Sequence, residues 1–444
     1  MNLSAFKAYD IRGSYPNQVN EELAYLVGRA LVRFLSAKNI VVGMDMRNSS
    51  NSLKEKVIEG VSCERADVFD IGLCSTPMLT HAVIYYGYDG GIMISASHSP
   101  DDENGFKLVD SSGIQIGEGF GLEDVKRIVK KGFSACPGRG SIVEKNILPD
   151  YMSKMLELAS DVKDLRVVVD YSSGSGSVSG KPLFARLSNL DVIELNEIPD
   201  GTFPSHPANP HDVENFRELQ SKVLETSADI GLFFDGDADR VQAVDDRGRI
   251  VPMDLLFCLL AQEELKKEEN RNKEYYYDLR FSKVVPEIIK ELGGIPKMMR
   301  VGNPYYKKAL ASSGVLAAEY SGHVMYAENS NIDDGLYCAL KILRLVSSIN
   351  KPISAILAEI SKYQTSHEVS LEAKEPQSVF DKLRKKFPTG KEVQLDGLYL
   401  DMPDGFISVR QSQTEPQFFR VRVEAEGKKE MEKRLNYVLE IIKN

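Results

Sequence analysis

Short apolar runs rich in β-branched residues alternate with amphipathic stretches along most of this chain, and the same pairing of runs occurs three times. KNIVVGMDMR (39–48), DLRVVVDYSSGSG (164–176) and YYYDLRFSKVVPEIIKELG (275–293) each read as a strand running into a polar turn or a helix. Each is followed by a second apolar strand entered through glycine: GIMISASH from Gly91, GLFFDGDADR from Gly231 and GVLAAEYSGH from Gly314. Strand-like runs separated by helical patterns imply mixed or parallel sheets covered by helices. The simplest arrangement is three related mixed-sheet α/β domains, each presenting one loop from the carboxyl end of a strand, where open α/β sheets bind ligands. Helical periodicity is clearest over 21–37, 251–267 and 334–347.

The polar bridge GRGSIVEKNILPD, near 138–150, predicts a first boundary, with Pro149 and Asp150 leading into the next helix. The turn DDRGRIVPMD (245–254) predicts a second. After KYQTSHEV (362–369) the texture becomes more charged, with strands expected at 393–400, 406–409 and 419–424 and a helix at 428–442, a smaller C-terminal α+β domain. The predicted divisions are 1–148, 149–249, 250–364 and 365–444.

The 444 residues allow about three domain-lengths by the usual prior. With 55 Lys and Arg against 65 Asp and Glu, the formal charge of -10 disfavours a nucleic-acid partner. No apolar run approaches the roughly 18–20 residues of a membrane span. The N-terminal MNLSAFKAYDIRGSYP has no basic region followed by an apolar core, so a cytoplasmic protein with no membrane partner is expected. The five cysteines are dispersed without a CxxC, which predicts small core residues rather than a zinc knuckle or a disulfide framework. No heptad seam distinguishes a monomer from a dimer.

Two loops concentrate the candidate chemistry. SASHSPDDENGFK (95–107) follows a glycine-entered strand and packs a hydroxyl nucleophile (Ser97), an imidazole (His98) and a cation (Lys107) into eleven residues. It is not GxSxG, so a hydrolase elbow is unsupported. Lys107 could neutralise charge or move a proton if desolvation lowered its pKa; His98 could equally be a structural loop histidine. FFDGDADR (233–240) places Asp235, Asp237 and Asp239 at alternate positions, which in an extended loop would aim all three carboxylates to one side. An all-oxygen set suits Mg²⁺, and Arg240 could receive phosphate oxygens. A merely acidic turn is the bland alternative. A calcium loop would need a longer pattern closing in Glu, and an aspartyl-phosphate enzyme would make Ser97 redundant.

Weaker signals surround these loops. Tyr9-Asp10-Ile11-Arg12-Gly13 is oddly polar before a helical region, and Arg12 gains interest only if the N-terminus folds over the Ser97 loop. Arg47, with Ser49 and Ser50, is assigned to support of that loop. In Glu319-Tyr320-Ser321-Gly322-His323, alternation would place Glu319 and Ser321 on one side to read sugar hydroxyls, and His323 could titrate near neutrality. Arg410-Gln411-Ser412-Gln413-Thr414-Glu415-Pro416 offers a guanidinium, hydroxyls and an amide for a phosphate far from the chemistry. No P-loop or GxGxxG occurs, so nucleotide binding is disfavoured.

Taken in order, SASHSP…NGFK, DGDADR, EYSGH and RQSQTEP resemble the α-D-phosphohexomutase family, in particular its phosphomannomutase/phosphoglucomutase branch, across nearly the whole chain. The resemblance implies four domains around a central cleft, the last an α+β phosphate-binding domain. It implies that Ser97 is a phosphoserine that binds Mg²⁺ together with Asp235, Asp237 and Asp239. Glu319 and Ser321 would read the sugar, and Arg410, Ser412, Gln413 and Thr414 would clamp the distal phosphate. Arg12, Lys107 and His323 would assist proton transfer or stabilise charge, with Tyr9, His98, Arg240 and Arg280 near the substrate. The expected reaction moves a phosphoryl between O1 and O6 of mannose or glucose phosphate through a hexose 1,6-bisphosphate. A phosphoglucosamine mutase and a metal-dependent sugar phosphatase are the alternatives. Met299-Arg300-Val301-Gly302-Asn303 departs from the branch's usual Thr-Lys-Val-Gly-His, Ala318 replaces a glycine, and Arg280 stands where lysine is common.

Overall fold

The computed structural model describes residues 3–372, 376–412 and 417–443, and the chain divides into two compact units. The first spans Met1–Val251 with Leu310–Ser312 and Ser321–Ser354, and the second holds Pro252–Ala309, Ser313–Tyr320 and Ala355–Asn444.

The first unit begins with β1 (Ile11–Ser14), β2 (Asn39–Met44), β3 (Asp67–Leu73), β4 (Gly90–Ile94), β5 (Glu103–Asp110) and β6 (Ile142–Glu144), in the order β1-β5-β4-β2-β3-β6. Helix Glu21–Leu35 starts where the Asn20 side chain accepts from the Leu23 N–H and ends at Ser36 in the left-handed region, the donor satisfaction and chain reversal that helix ends need. Its apolar stripe, with Leu23, Val27 and Leu31, packs into a core shared with Ile40, Val42, Ile92 and Phe106 of the sheet. A second sheet follows, formed by β7 (Leu165–Asp170), β8 (Leu190–Leu195), β9 (Ile230–Phe234) and β10 (Val241–Asp245) in the order β10-β9-β7-β8. Also within this unit are β14 (Val324–Tyr326) and the helix Gly335–Ser348.

The second unit contains β11 (Glu274–Asp278), β12 (Ile295–Met299) and β13 (Gly314–Ala318), with β11 parallel to both of the others. The threefold pattern in the sequence is thus a repeated topology. Parallel triplets β4-β2-β3, β9-β7-β8 and β13-β11-β12 share one order, and the glycine-entered strand is always an outer member. Gly91 illustrates the close packing at this position, since a Cβ there would lie 2.9 Å from methyls of Leu79 and Val83.

The unit closes with a largely antiparallel sheet: β15 (Gln364–Thr365), β16 (Val369–Glu372), β17 (Lys391–Val393), β18 (Leu398–Met402), β19 (Gly405–Gln411) and β20 (Phe418–Ala425). Helices Pro376–Lys386 and Lys428–Lys443 supply Leu383, Val438 and Ile442 to its core. The architecture is therefore three α/β domains and a fourth C-terminal α+β domain. Among the described residues no helix is long and apolar enough to cross a membrane.

Three local expectations are corrected. The strand predicted over 393–400 is broken into β17 and β18, because a turn ending at Gly397 (φ +73) reverses the chain for antiparallel pairing. The bridge at 138–150 is not all linker: Ile142–Glu144 adds to β3 as a parallel edge strand, too short and exposed to stand out by pattern. Cys74, Cys258 and Cys338 are buried as expected, but Cys63 and Cys136 form a disulfide, their Cα atoms 5.2 Å apart. The two lie 73 residues apart at the end of one helix and in the loop after another, which no local motif signals.

Candidate active site

Ser97 lies just beyond β4, completely buried, with φ of +51°. That left-handed conformation costs a non-glycine residue on the order of 1–2 kcal/mol, and the surroundings hold it in place. Ser97 N–H donates to Ser95 Oγ at 2.9 Å, while Arg47 Nη2 donates to the carbonyls of Ser97 (2.9 Å) and Ser99 (2.6 Å). Arg47 Nη1 reaches the Glu103 carbonyl at 2.9 Å, so one buried guanidinium spans the whole loop. The N-terminus does fold over this loop: β1 pairs antiparallel with β5, and Arg12 Nη1 donates to Ser99 Oγ at 3.3 Å. Arg12 also pairs with Asp10, and the Tyr9 carbonyl accepts from Gln115.

The carboxylate loop leaves β9 and meets Ser97. Ser97 Oγ donates to Asp235 Oδ2 at 2.8 Å and lies 3.2 Å from His98 Nδ1. Carboxylate oxygens of Asp235, Asp237 and Asp239 all come within 4.8 Å of one another. They converge through a turn rather than by strand alternation: β9 ends at Phe234, and Ala238 takes φ of +58°. Lys107, on β5, places Nζ 2.5 Å from both Asp237 Oδ2 and Asp239 Oδ2. Burial alone would lower its pKa, but Asp237 and Asp239 outweigh that and raise it, so these carboxylates hold Lys107 as a cation. Asp235 is pushed up, first by burial and then by repulsion from its two neighbours. Burial, with Arg240 next, holds His98 well below the ordinary imidazole value.

Arg240 contacts both flanking carboxylates, with Nε 3.4 Å from Asp235 and 3.5 Å from Asp239. His323 Nδ1 faces Asp333 at 3.2 Å and Asp239 at 3.7 Å. Burial works against protonation of His323, but Asp239 and Asp333 raise its pKa overall. Gly322, at φ of +98°, turns the chain between Ser321 and His323.

The aspartate triad fits a divalent cation. Asp237 Oδ1 and Asp239 Oδ1 are buried and accept no hydrogen bond among the described residues, leaving two charged acceptors in an all-oxygen cluster. Mg²⁺ prefers such donors and keeps positions for phosphate oxygens.

In the second unit, Asp278 at the end of β11 organises a separate group. It accepts from Arg280 through N–H (2.9 Å) and Nε (2.8 Å), and from the Tyr320 N–H at 3.0 Å. Glu319 follows β13 and accepts from the Gly302 N–H at 2.9 Å. Because β13 ends at Ala318 and a turn begins at Tyr320, the alternation expected to align Glu319 with Ser321 does not apply. Arg410 is buried on β19, beside Arg420 of β20, and Ser412 N–H donates to the Phe418 carbonyl at 2.8 Å. Gln413 and Thr414 lie outside the described residues.

Two contacts had no expectation behind them. Thr76 donates to Asp237 through its hydroxyl, and its N–H reaches the Asp237 carbonyl at 3.0 Å. His211 places Nε2 3.5 Å from Arg240 Nη1 and sets its ring edge-on to His98, with centroids 5.8 Å apart. TFPSHPANPH (202–211), two histidines in a proline-rich polar run, was a readable signal for the latter.

Three family models match in succession: phosphoglucomutase/phosphomannomutase α/β/α domain I over 3–135, domain II over 149–248 and domain III over 252–363. The chain is 32% identical to a phosphomannomutase of Methanocaldococcus jannaschii, over 99% of this chain and 98% of that protein. It is 34% identical to a phosphomannomutase/phosphoglucomutase of Pseudomonas syringae pv. tomato, over 96% of this chain and 92% of the relative. A crystal structure of a phosphoglucomutase/phosphomannomutase family protein from Burkholderia thailandensis superposes with a TM-score of 0.90 at 31% identity, covering 100% of this chain and 98% of the other. The chain belongs to the phosphoglucomutase/phosphomannomutase family and is an enzyme of phosphohexomutase type. Phosphoryl transfer by way of a phosphoserine and a bisphosphate, beside a metal-binding aspartate cluster, is the chemistry of that class.

Proposed function

We propose that this enzyme interconverts the 1- and 6-phosphates of mannose and glucose, with Ser97 as the phosphoryl carrier. The observation behind this reading is the buried Ser97 hydroxyl 2.8 Å from Asp235, in a cluster of three carboxylates and Lys107. In the forward half-reaction the phosphorus–oxygen bond to Ser97 breaks and one to the free sugar hydroxyl forms, giving a hexose 1,6-bisphosphate. After the bisphosphate turns over, Ser97 takes back the other phosphoryl. Mg²⁺ held by Asp235, Asp237, Asp239 and phospho-Ser97 would neutralise the transferring phosphoryl.

Lys107 and Arg12 supply fixed positive charge beside the loop, and His98, kept neutral, stands within hydrogen-bond reach of Ser97 Oγ to orient that hydroxyl. Arg240 and Tyr9 complete this group, with His323 held by its carboxylate neighbours. Glu319 and Ser321 read the sugar hydroxyls, while Arg410, Ser412, Gln413 and Thr414, with Arg280 nearby, hold the phosphate that is not transferred. Domain limits near 148, 249 and 364 accompany this reading.

Support for these sugars comes from relatives that carry phosphomannomutase and phosphoglucomutase names at 32–34% identity over nearly their whole length. The test is initial rate with Mg²⁺ and bisphosphate primer on the 1-phosphates of glucose, mannose and glucosamine, following each 6-phosphate and free phosphate. Primer-stimulated isomerisation of glucose or mannose phosphate is expected. Preferential turnover of the amino sugar, or release of inorganic phosphate without isomer, would contradict it.

A further inference from the structure

The guanidinium of Arg410 already has an anionic neighbour. Glu368, four residues beyond the start of β15, lies with both carboxylate oxygens near a single nitrogen, Arg410 Nη2, at 3.4 and 3.2 Å. This is a loose, one-nitrogen contact, whereas paired guanidinium–oxyanion bonds run about 2.7–2.9 Å through two nitrogens. Arg410 Nε is buried and has no hydrogen-bond partner among the described residues, so part of the fork is unfilled.

Glu368 does not owe its place to Arg410 alone. Its Oε2 lies 3.5 Å from Arg280 Nη1, and Arg280 is itself already neutralised by Asp278 through a two-nitrogen fork. The Glu368 side chain keeps 21% of its surface exposed, whereas Arg410 and Arg280 keep 8% and 5%. The arginines are therefore walled in while the carboxylate can withdraw toward solvent. Burial acts to raise the Glu368 pKa, but Arg280 and Arg410 outweigh it, so the group is an anion.

We propose that Glu368 is the resident counter-anion of the Arg410 site: it occupies the guanidinium when no phosphate is there and competes with the phosphate that binds. This rests on the reading of Arg410 as a phosphate clamp. In a reaction whose bisphosphate must leave the clamp and return by its other end, such a competitor weakens the bound state and lets the intermediate go. Binding that favours bound ground states as much as the transition state does not raise turnover. A clamp without Glu368 therefore holds sugar phosphate more tightly and releases it more slowly.

The experiment measures glucose 6-phosphate binding by calorimetry, and kcat with KM on glucose 1-phosphate, for the full-length protein and for E368Q, E368D, R410A and the E368Q/R410A pair. E368Q is expected to lower the dissociation constant by at least about fivefold, the effect of removing one like charge about 4 Å away even in bulk water, and to lower kcat. E368D, which withdraws the carboxylate on a shorter stem, gives a smaller shift in the same direction and serves if E368Q does not fold. R410A weakens binding, and adding E368Q to it brings no gain. Unchanged or weaker binding in E368Q or E368D alongside weakened binding in R410A overturns the role of Glu368 alone. Unchanged binding in R410A overturns the clamp and with it the proposal.

Discussion

The Ser97 hydroxyl donates to Asp235 Oδ2 at 2.8 Å across 138 positions of sequence. Each residue leaves the carboxyl end of a glycine-entered strand, β4 for one and β9 for the other, so two copies of one topological unit are joined at their functional loops. The joint is close at the backbone too. A Cβ on Gly236 would stand 2.4 Å from the Ser97 carbonyl oxygen.

Gly236→Ala therefore has to push the two loops apart. A loss of about 1–3 kcal/mol in folding stability is expected, as for overpacking elsewhere, together with a fall in kcat of about a hundredfold from misplacement of the carboxylates. Urea unfolding and steady-state kinetics on one preparation measure both. A variant with unaltered kcat would mean the loops need not approach this closely.

Arg47 touches no reacting atom in this account, yet its guanidinium binds the carbonyls of Ser97, Ser99 and Glu103 and lies 3.3 Å from Asp45. Arg47→Met leaves a buried carboxylate without its cation, which costs about 3–5 kcal/mol. It should also lower kcat more than it raises KM. A change in KM alone would place Arg47 with the substrate instead.

Metal dependence follows from the open oxygens of Asp237 and Asp239. Chelation with EDTA should abolish turnover, and Mg²⁺ should restore it. Mg²⁺ at about a hundred times its dissociation constant should add about 2.7 kcal/mol to stability by mass action, seen as a rise in melting temperature without substrate. Asp237→Asn should remove most of that rise. A melting temperature indifferent to Mg²⁺ in the unaltered protein would argue against the site.

Glu424 gives a pH signature away from the chemistry. It is buried on β20, accepting from the Lys283 N–H, and burial raises its pKa from 4.5 to about 7. A carboxyl whose folded pKa exceeds its unfolded one contributes most stability below the unfolded value and loses it as pH rises through the folded value. The penalty of ionising Glu424 should thus develop between about pH 4.5 and 7 and reach roughly 3 kcal/mol above that window. Glu424→Gln should be more stable than the parent at pH 8 and nearly equal to it at pH 4.5, as read by denaturant midpoints across pH. Equal stability at pH 8 would place the carboxyl in contact with water.

The repeated topology was legible because glycine-entered apolar strands followed by polar loops mark the carboxyl edge of a sheet, and Ser97, Asp235, Asp237 and Asp239 all sit on such loops. How the carboxylates converge was not legible. Alternation describes strands, and this loop is a turn with Ala238 in the left-handed region. The protonation of Lys107 was hidden for a related reason: burial alone would lower its pKa, and only the folded positions of Asp237 and Asp239 reverse the sign. Thr76, 161 positions from Asp237, and Glu368, 42 from Arg410, carry no local motif, since their partners are supplied by the fold. The short parallel strand β6 and the Cys63–Cys136 pair escaped notice similarly, one being three residues long and exposed, the other joined across 73 residues.

The central claim is that Ser97 carries the phosphoryl. Incubating the protein with glucose 1,6-bisphosphate and Mg²⁺, mapping phosphopeptides by mass spectrometry, and then adding glucose 1-phosphate tests it directly. The account predicts one phosphorylated site at Ser97, discharge of that label into bisphosphate when sugar is added, and neither event in a folded Ser97→Ala variant. Label on another residue, or discharge only as inorganic phosphate, would contradict it.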